Sequence, residues 1–199
     1  MDATTQIGGT IRAFIAAEIS DEVRARVGEL LVKLKRTEAG VKWVRPASMH
    51  LTLRFLGNIF PDAVELVDEA MAEATAGVPP VRVEVEGFGC FPSEARPRVF
   101  WLGLSRGGDE LIALAERLER ALLARGLPPA DKPFAPHLTL GRVKTGSGLG
   151  RVQKVLRSEA SRGFGGYLAG RMVLFQSELN PGGARYTVLK ERPLAADCV

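Results

Sequence analysis

The sequence predicts an α+β fold, with helices packed on the outer faces of antiparallel sheets. Segments with the two-residue alternation of strands and segments with the period of helices both occur, and the order strand, helix, strands appears twice. These segments lack the steady alternation that a doubly wound parallel sheet requires. The chain has 199 residues, of which 46% are apolar, and this suffices for one compact domain or for two small lobes that share an interface.

The first half of the chain predicts two helices among four strands. Ser20 can cap a helix that Gly40 ends, and Pro61 can open a second helix because its missing N–H is not needed there. Apolar residues at helical spacing predict the buried faces, namely Val23, Val27, Leu30, Leu31 and Leu34 in the first helix and Val64, Val67, Ala70, Met71 and Ala74 in the second. Strands are predicted at 11–18, 41–44, 50–56 and 81–85.

The second half predicts two more helices and four more strands. A third helix runs from 108 to 125, and Gly126 is its stop signal. Its buried stripe consists of Leu111, Leu114, Ala115, Leu118 and Leu122. A short helix is predicted at 152–160, and strands are predicted at 99–104, 137–143, 171–178 and 186–190.

Composition and charge argue against several classes of protein. The sequence has no apolar stretch of membrane-spanning length, and the apolar run at 11–19 lacks the basic region of a signal peptide, so we expect a cytoplasmic protein. Neither Cys90 nor Cys198 belongs to a C-x-x-C motif, which argues against a disulfide framework or a cysteine zinc site. The net charge of +4 favours anionic partners such as nucleic acid without requiring one.

The tetrapeptide His-Leu-Thr-Leu occurs twice, at 50–53 and at 137–140. The chain contains two histidines, His50 and His137, and both lie in these copies. A single copy would most often be an ordinary strand with one polar face. Two identical copies that hold every histidine of the chain indicate a catalytic pair.

Strand geometry explains the spacing within each copy. Side chains alternate across a strand, so His50 and Thr52 share one face while Leu51 and Leu53 anchor the opposite face in a core. The second copy presents its histidine and Thr139 in the same way. If a pseudo-twofold axis relates the two lobes, the four polar groups converge on one cleft.

Two histidines and two threonines suit the opening of a cyclic phosphodiester. A base activates the attacking water and an acid protonates the departing oxygen, on opposite sides of the phosphorus. Histidine suits both tasks because its ordinary pKa of about 6.5 lies near neutrality. The hydroxyls of Thr52 and Thr139 can donate hydrogen bonds to the phosphate, and this chemistry needs no metal or other cofactor.

The paired H-x-T-x motifs resemble those of the two-histidine (2H) phosphoesterase superfamily. The flanks resemble its bacterial branch, the RNA 2′,3′-cyclic phosphodiesterases that are also called 2′-5′ RNA ligases. The segments that carry this second resemblance are 12–16, 42–44, 54–57, 96–103, 133–136 and 174–177. Together with the motifs they cover nearly the whole chain.

The resemblance implies two pseudo-symmetric βα lobes whose antiparallel sheets line a central cleft. It implies hydrolysis of an RNA 2′,3′-cyclic phosphate to a 2′-phosphate, with His50 as the proton donor and His137 as the proton acceptor. It also implies that the protein can catalyse the reverse reaction, a 2′-5′ ligation without ATP. The partner would be RNA with a cyclic phosphate end, tRNA fragments included, and we expect a monomer that binds no membrane.

Residues around the motifs are secondary candidates. Arg54 shares the face of His50 if the strand stays regular, and would then bind phosphate. Arg142 has the opposite parity to His137, but Gly141 permits a bulge that would turn it towards the phosphate, where the resemblance implies a basic residue. Phe134 is the candidate for base stacking, whereas Phe55 has the core parity of the motif leucines.

Two alternatives stay open at this point. The first is a phosphodiesterase that acts on another nucleotide, such as a 2′-5′ oligonucleotide, because the motifs would be the same and the cleft walls would differ. The second is a module that binds RNA ends without catalysis. Intact histidines in both motifs argue against the second alternative, since binding alone has less need for a titratable pair.

Overall fold

The computed structural model describes residues 9–180 and 183–195. These residues form nine strands, four α-helices and one 3-10 turn at Pro46–Ser48. The strands are β1 (Ile11–Ala17), β2 (Val41–Trp43), β3 (Leu51–Ile59), β4 (Val81–Phe91), β5 (Val99–Arg106), β6 (Leu138–Val143), β7 (Gly163–Ala169), β8 (Arg171–Asn180) and β9 (Gly183–Pro193). The helices are α1 (Asp21–Lys35), α2 (Ala63–Thr75), α3 (Gly108–Ala124) and α4 (Leu149–Ser158).

The strands form two antiparallel sheets, which confirms the α+β prediction. One sheet has four strands in the order β3-β1-β8-β9, and the other has five in the order β2-β6-β5-β4-β7. Each sheet combines strands from both halves of the chain. The first histidine motif lies at the start of β3 in the four-stranded sheet, and the second lies at the start of β6 in the five-stranded sheet.

Helix α1 begins as predicted and ends earlier. The Ser20 hydroxyl accepts a hydrogen bond of 3.2 Å from the Val23 N–H, and the five predicted apolar residues are buried. The helix ends at Lys35 rather than near Gly40, because Glu38 adopts the left-handed backbone conformation with a φ of 47°. Gly40 instead allows a close approach of the segment around Thr145, since an added Cβ would clash with that side chain.

The helices cover one face of each sheet and leave the other free for the motifs. Helix α1 packs on β7, α2 packs on β8 and β9, and α3 contacts β3, β4 and β5. The leucines of both tetrapeptides are buried in the resulting core, as predicted; they are Leu51, Leu53, Leu138 and Leu140. Burial of four such side chains fixes the two strands that carry the histidines.

One strand was not predicted. Strand β7 contains three glycines among its seven residues, and Gly165 has a positive φ of 95°. Glycine weakens a strand and hides the alternation, so the segment carries no strand signal. No helix of the described residues is long and apolar enough to cross a membrane.

Candidate active site

The two histidines lie in matched backbone settings. Each residue directly precedes its strand, and each Nδ1 contacts the carbonyl oxygen two residues earlier in the chain. The distance is 3.0 Å from His50 to Ser48 and 2.7 Å from His137 to Ala135. A ring whose Nδ1–H donates to a carbonyl keeps its lone pair on Nε2. Both imidazoles therefore have Nε2 available for proton transfer.

Aromatic rings enclose His50. Phe14 on β1 stacks on the imidazole with ring centroids 4.6 Å apart, and Tyr186 on β9 approaches edge-on at 5.2 Å. Phe175 on β8 lies 6.3 Å away and pairs directly with Phe14 in the sheet. This burial is the main cause of a pKa of His50 lowered to about 4, because desolvation disfavours the imidazolium.

Arg24 holds the turn that carries His50. Its guanidinium donates hydrogen bonds of 2.7 Å to the carbonyl of Pro46 and 3.2 Å to that of Met49. Burial has the largest influence on the pKa of His50 and lowers it, whereas the hydrogen bond to Ser48 raises it. The positive charge of Arg24 has the next largest influence and lowers the pKa further. Arg24 thus affects both the position and the acidity of this histidine.

His137 lies against a more open wall. Phe91 meets the imidazole edge-on with centroids 5.1 Å apart, and the ring of Trp101 lies 6.3 Å away. Burial again lowers the pKa, the hydrogen bond to Ala135 opposes this, and the positive charge of Arg142 lowers it further. The pKa of each histidine is therefore lowered mainly by burial.

Electrostatic contacts connect the two motifs across a single cleft. After burial, the charge of His137 contributes to the lowered pKa of His50, and the charge of Arg142 contributes to the lowered pKa of His137. Burial raises the pKa of Tyr186, and the charge of Arg142 opposes that rise. Such interactions are short-ranged in a hydrated protein. Strands β3 and β6 also contact one another, although they belong to different sheets. The structure brings together the histidines that the sequence places 87 residues apart.

The motif threonines lie on the same walls. Thr52 pairs with Ala16 on β1, Thr139 pairs with Trp101 on β5, and both side chains are half-buried. Neither hydroxyl has a hydrogen-bond partner among the described residues, so both are free to meet a ligand. The same part of the chain contains no cluster of three or more His, Cys, Asp or Glu side chains suited to a metal ion.

The prediction that Arg54 shares the face of His50 is wrong. A bulge in β3 at Leu53 reverses the parity, so Arg54 pairs with the buried Ile15. Its guanidinium contacts Glu119 on α3 at 2.7 Å and donates to the carbonyl of Pro128. Arg54 therefore joins β3 to α3 and is not available to a ligand in the cleft.

The same bulge corrects the prediction that Phe55 belongs to the core. Phe55 pairs with Phe14, and the two rings lie 5.8 Å apart on the face of His50. The Phe55 side chain is 51% exposed. Phe134 instead is half-buried and packs against the hydrophobic core. The exposed aromatic ring beside the site thus belongs to a residue that alternation assigned to the core.

A second bulge turns Arg142 towards the cleft. It falls at Leu140 in β6, so Arg142 pairs with Val99, two residues before Trp101 on a regular stretch of β5. Arg142 therefore shares the face of Trp101 and His137. The opposite face at Gly141 is covered by Trp43, whose ring would lie 2.6 Å from an added Cβ. Glycine at 141 lets the tryptophan pack there.

Sequence reasoning missed three residues of this site. Phe14, Tyr186 and Arg24 come from β1, β9 and α1, far along the chain from either motif. Phe14 lies within one of the flanks that carry the family resemblance, so a signal for it existed. Nothing in the local sequence of the other two distinguishes them from ordinary surface residues.

Comparison with known proteins identifies the family. The sequence model described as "LigT like Phosphoesterase" matches the chain twice in succession, over residues 17–101 and 102–186, and each match contains one histidine motif. The chain belongs to the LigT-like phosphoesterase family. The family match covers both lobes, in agreement with the paired sites described above.

Two proteins of known name are similar to this chain over two thirds or more of its length. A protein of Archaeoglobus fulgidus named RNA 2′,3′-cyclic phosphodiesterase is 35% identical over 90% of this chain and 98% of its own length. One of the same name from Thermotoga maritima is 38% identical over 67% of this chain and 71% of its own. Relatives of this name are thus similar to two thirds or more of this chain.

Solved structures of the family have the same two-lobed fold. A protein of Thermus thermophilus superposes with a TM-score of 0.77 at 30% identity, covering 94% of this chain and 100% of its own. LigT of E. coli in its apo form superposes with a TM-score of 0.74 at 26% identity, covering 94% and 99%. LigT has also been crystallised with 3′-AMP and with phosphate.

Proposed function

We propose that the protein hydrolyses the 2′,3′-cyclic phosphate end of RNA to a 2′-phosphate, with His50 and His137 as the acid–base pair. The observation that carries the proposal is the pairing of two imidazoles, each with a free Nε2, close enough for the charge of one to lower the pKa of the other. The names of the relatives support the substrate class.

The proposed mechanism is an in-line displacement. His137 takes a proton from a water molecule that attacks phosphorus, and His50 gives a proton to the departing 3′ oxygen of the ribose. Thr52, Thr139 and Arg142 donate hydrogen bonds to the non-bridging oxygens as negative charge develops there. With the 5′ hydroxyl of a second RNA in place of the water, His137 takes the proton of that hydroxyl and His50 protonates the same departing 3′ oxygen, so the same groups can catalyse a 2′-5′ ligation without ATP.

The acidity of His50 bears on its proposed role. With a pKa of about 4, His50 is neutral in the free protein near pH 7. A bound phosphate anion would raise this pKa, because negative charge nearby stabilises the imidazolium. His50 would therefore take up a proton when the substrate binds, and its proposed role as proton donor requires this.

We also propose that the chain acts as one domain of two lobes. Each lobe contributes one histidine and one threonine, and the cleft between the sheets receives the RNA end. The exposed Phe55 is better suited than Phe134 to stack on the terminal base, since a free aromatic face is what stacking requires. An RNA partner, including tRNA fragments, would approach from the open side of this cleft.

The deciding experiment uses an RNA oligonucleotide that ends in a 2′,3′-cyclic phosphate, incubated with the protein in excess EDTA. We expect a product with a 2′-phosphate and a free 3′ hydroxyl, identified by phosphorus NMR against both isomers. A 3′-phosphate product would contradict the proposed direction of opening. Loss of turnover on chelation would contradict the metal-free mechanism.

A substrate with sulfur in place of the 3′ bridging oxygen tests the roles of the two histidines. A thiol, with a pKa of about 8.5, leaves without the help of a proton donor far more readily than an alcohol. We expect the variant His50→Ala to regain most of its lost turnover on this substrate, and His137→Ala to regain none. Rescue of His137→Ala instead would reverse the assignment.

A further inference from the structure

The charges of three arginines act on Tyr186, whose ring lies edge-on to that of His50. Burial is the main cause of the raised pKa of the Tyr186 hydroxyl, and the positive charges of Arg142, Arg12 and Arg45 each act to lower it. All three charges therefore act on this hydroxyl. We call Arg12, Arg45 and Arg142 the Tyr186 arginines.

The fold brings these residues together from three separate segments. Arg12 lies on β1 two residues before Phe14, so it shares the face that holds the His50 ring. Arg45 precedes the 3-10 turn that leads to His50, and its guanidinium donates a hydrogen bond of 2.7 Å to the carbonyl of Ala184. Arg142 reaches the same place from the five-stranded sheet.

The charge of this cluster is not neutralised by acidic residues. Within residues 9–180 and 183–195, none of the Tyr186 arginines has a carboxylate within 4.0 Å. Of the seventeen other arginines, all within those residues, nine do have such a carboxylate, as Arg162 has in Glu29. Lys42 also lies directly opposite Arg142 on β2, a like-charge pairing that costs stability.

Uncompensated cations beside a cleft point to an anionic ligand, and here one phosphate is not enough. The cyclic phosphate carries a single negative charge and is held between the histidines. Arg142 is close to His137 and can serve that phosphate, whereas neither Arg12 nor Arg45 is among the charges that act on either histidine. Their charge is left for a second anion on the Tyr186 side.

We propose that Arg12 and Arg45 bind the RNA phosphate on the 5′ side of the terminal nucleotide. This inference rests on the proposed function, and it adds a substrate preference. The protein then favours ends that carry at least one phosphate upstream of the cyclic one over nucleosides with a cyclic phosphate alone. Phosphate contacts of this kind fix the position of the chain without reading its sequence.

Three substrates separate the contributions. They are adenosine 2′,3′-cyclic phosphate, the same compound with a 5′-phosphate, and a short RNA ending in a cyclic phosphate. We expect kcat/KM to rise about tenfold when the 5′-phosphate is added, the gain typical of one charge-assisted hydrogen bond. Equal kcat/KM for the first two compounds would overturn the subsite. Failure of the protein to open any of the three would instead overturn the proposed function.

The double variant Arg12→Met/Arg45→Met tests the residues. We expect the ratio of kcat/KM between the 5′-phosphorylated and the unphosphorylated compound to fall towards one. The matched control is Arg120→Met/Lys154→Met, which removes two exposed helical cations that act on no group of the cleft, and it keeps the wild-type ratio. An unchanged ratio in the first variant would overturn the assignment.

A measurement on the unmodified protein covers the case in which the double variant does not fold. Each phosphate bound by single-stranded nucleic acid adds about 0.7 to the slope of log affinity against log salt. We expect KM for the 5′-phosphorylated compound to depend on salt more steeply than KM for the unphosphorylated one. Parallel salt dependences would contradict the proposal.

Discussion

The two histidine motifs are identical in sequence and differ in surroundings. Each places Nδ1 on the carbonyl two residues back, and each strand has a bulge directly after the motif threonine. The residue three positions after each threonine therefore returns to the cleft. It is Phe55 in the four-stranded sheet and Arg142 in the five-stranded sheet. The proposed catalytic pair is symmetrical, whereas the side chains around it are not.

Because of this difference, we expect the two sheets to bind different parts of the substrate. The four-stranded sheet offers the aromatic rings of Phe55, Phe175 and Tyr186, which suit a nucleoside, together with Arg12, which we assign to a second phosphate. The five-stranded sheet offers Arg142 with Lys42 beside it, a cationic wall suited to phosphate. A pseudo-symmetrical pair of proton carriers can thus act on a substrate that is itself asymmetrical.

The largest expected effect tests whether the histidines are equivalent in spite of their different surroundings. We expect His50→Ala and His137→Ala each to lower turnover of a cyclic-phosphate RNA by about 100-fold or more, the usual contribution of a positioned acid or base. Thermal melting would verify that both variants fold. Full activity in one variant would mean that the site works with a single proton carrier.

The next effect separates the two arginines that follow the motifs. We expect Arg142→Met to lower kcat/KM by about 10- to 100-fold, the equivalent of about 1.5–3 kcal/mol for a hydrogen bond to a charged group, with little change in melting temperature. Arg54→Met is the matched variant, because its partner is Glu119 and not the ligand. We expect it to lower the free energy of unfolding by about 1–3 kcal/mol and to leave the pH dependence of turnover unchanged. Loss of turnover in Arg54→Met together with loss of stability in Arg142→Met would instead indicate that β3 has no bulge and that Arg54 faces the cleft.

A third comparison contrasts the two phenylalanines. Phe55→Ala should raise KM for RNA about tenfold, since loss of one base stack costs about 1–3 kcal/mol. Phe134→Ala should instead lower stability, because that ring packs against the core. Measured KM and urea midpoints for both variants distinguish the roles. A larger KM effect at Phe134 would return the stacking role to that residue.

The smallest effect concerns the acidity difference between the lobes. Arg24→Met removes a positive charge that lowers the pKa of His50, so the pKa should rise and the corresponding limb of the pH–rate profile should move to higher pH. The chain has two histidines, so NMR can follow each imidazole in a direct titration. Arg26→Met, which removes an exposed arginine paired with Glu22 on the same helix, is the control. A profile that shifts equally in both variants would show that net charge alone is responsible.

Much of the fold could be predicted because its elements have strong local signals. The helical stripes, the Ser20 cap and the buried leucines all follow from spacing that tertiary structure preserves. Strand β7 could not be predicted, since its glycines are held in place by pairing with β4 and not by their own preference.

The sequence predicts the residues of the site that the repeated motif identifies. It fails for the residues whose direction depends on a regular strand. His50, His137 and their threonines are recognisable from the repeated motif. A bulge moves every later side chain to the other face, which explains the errors at Arg54 and Phe55. Both bulges lie directly after the motif threonine. The bulge that Gly141 permits in the second copy could therefore have been used to predict the bulge in the first copy.

The interleaving of strands in the two sheets has a consequence for how the molecule reaches its working state. Strand β1 pairs with β8, and β4 pairs with β7, so segments that are distant in sequence must meet before either sheet is complete. Contacts of such high sequence separation slow folding and make it cooperative. Neither half of the chain contains all the strands of either sheet, so both halves must fold together before the two motifs can face one another.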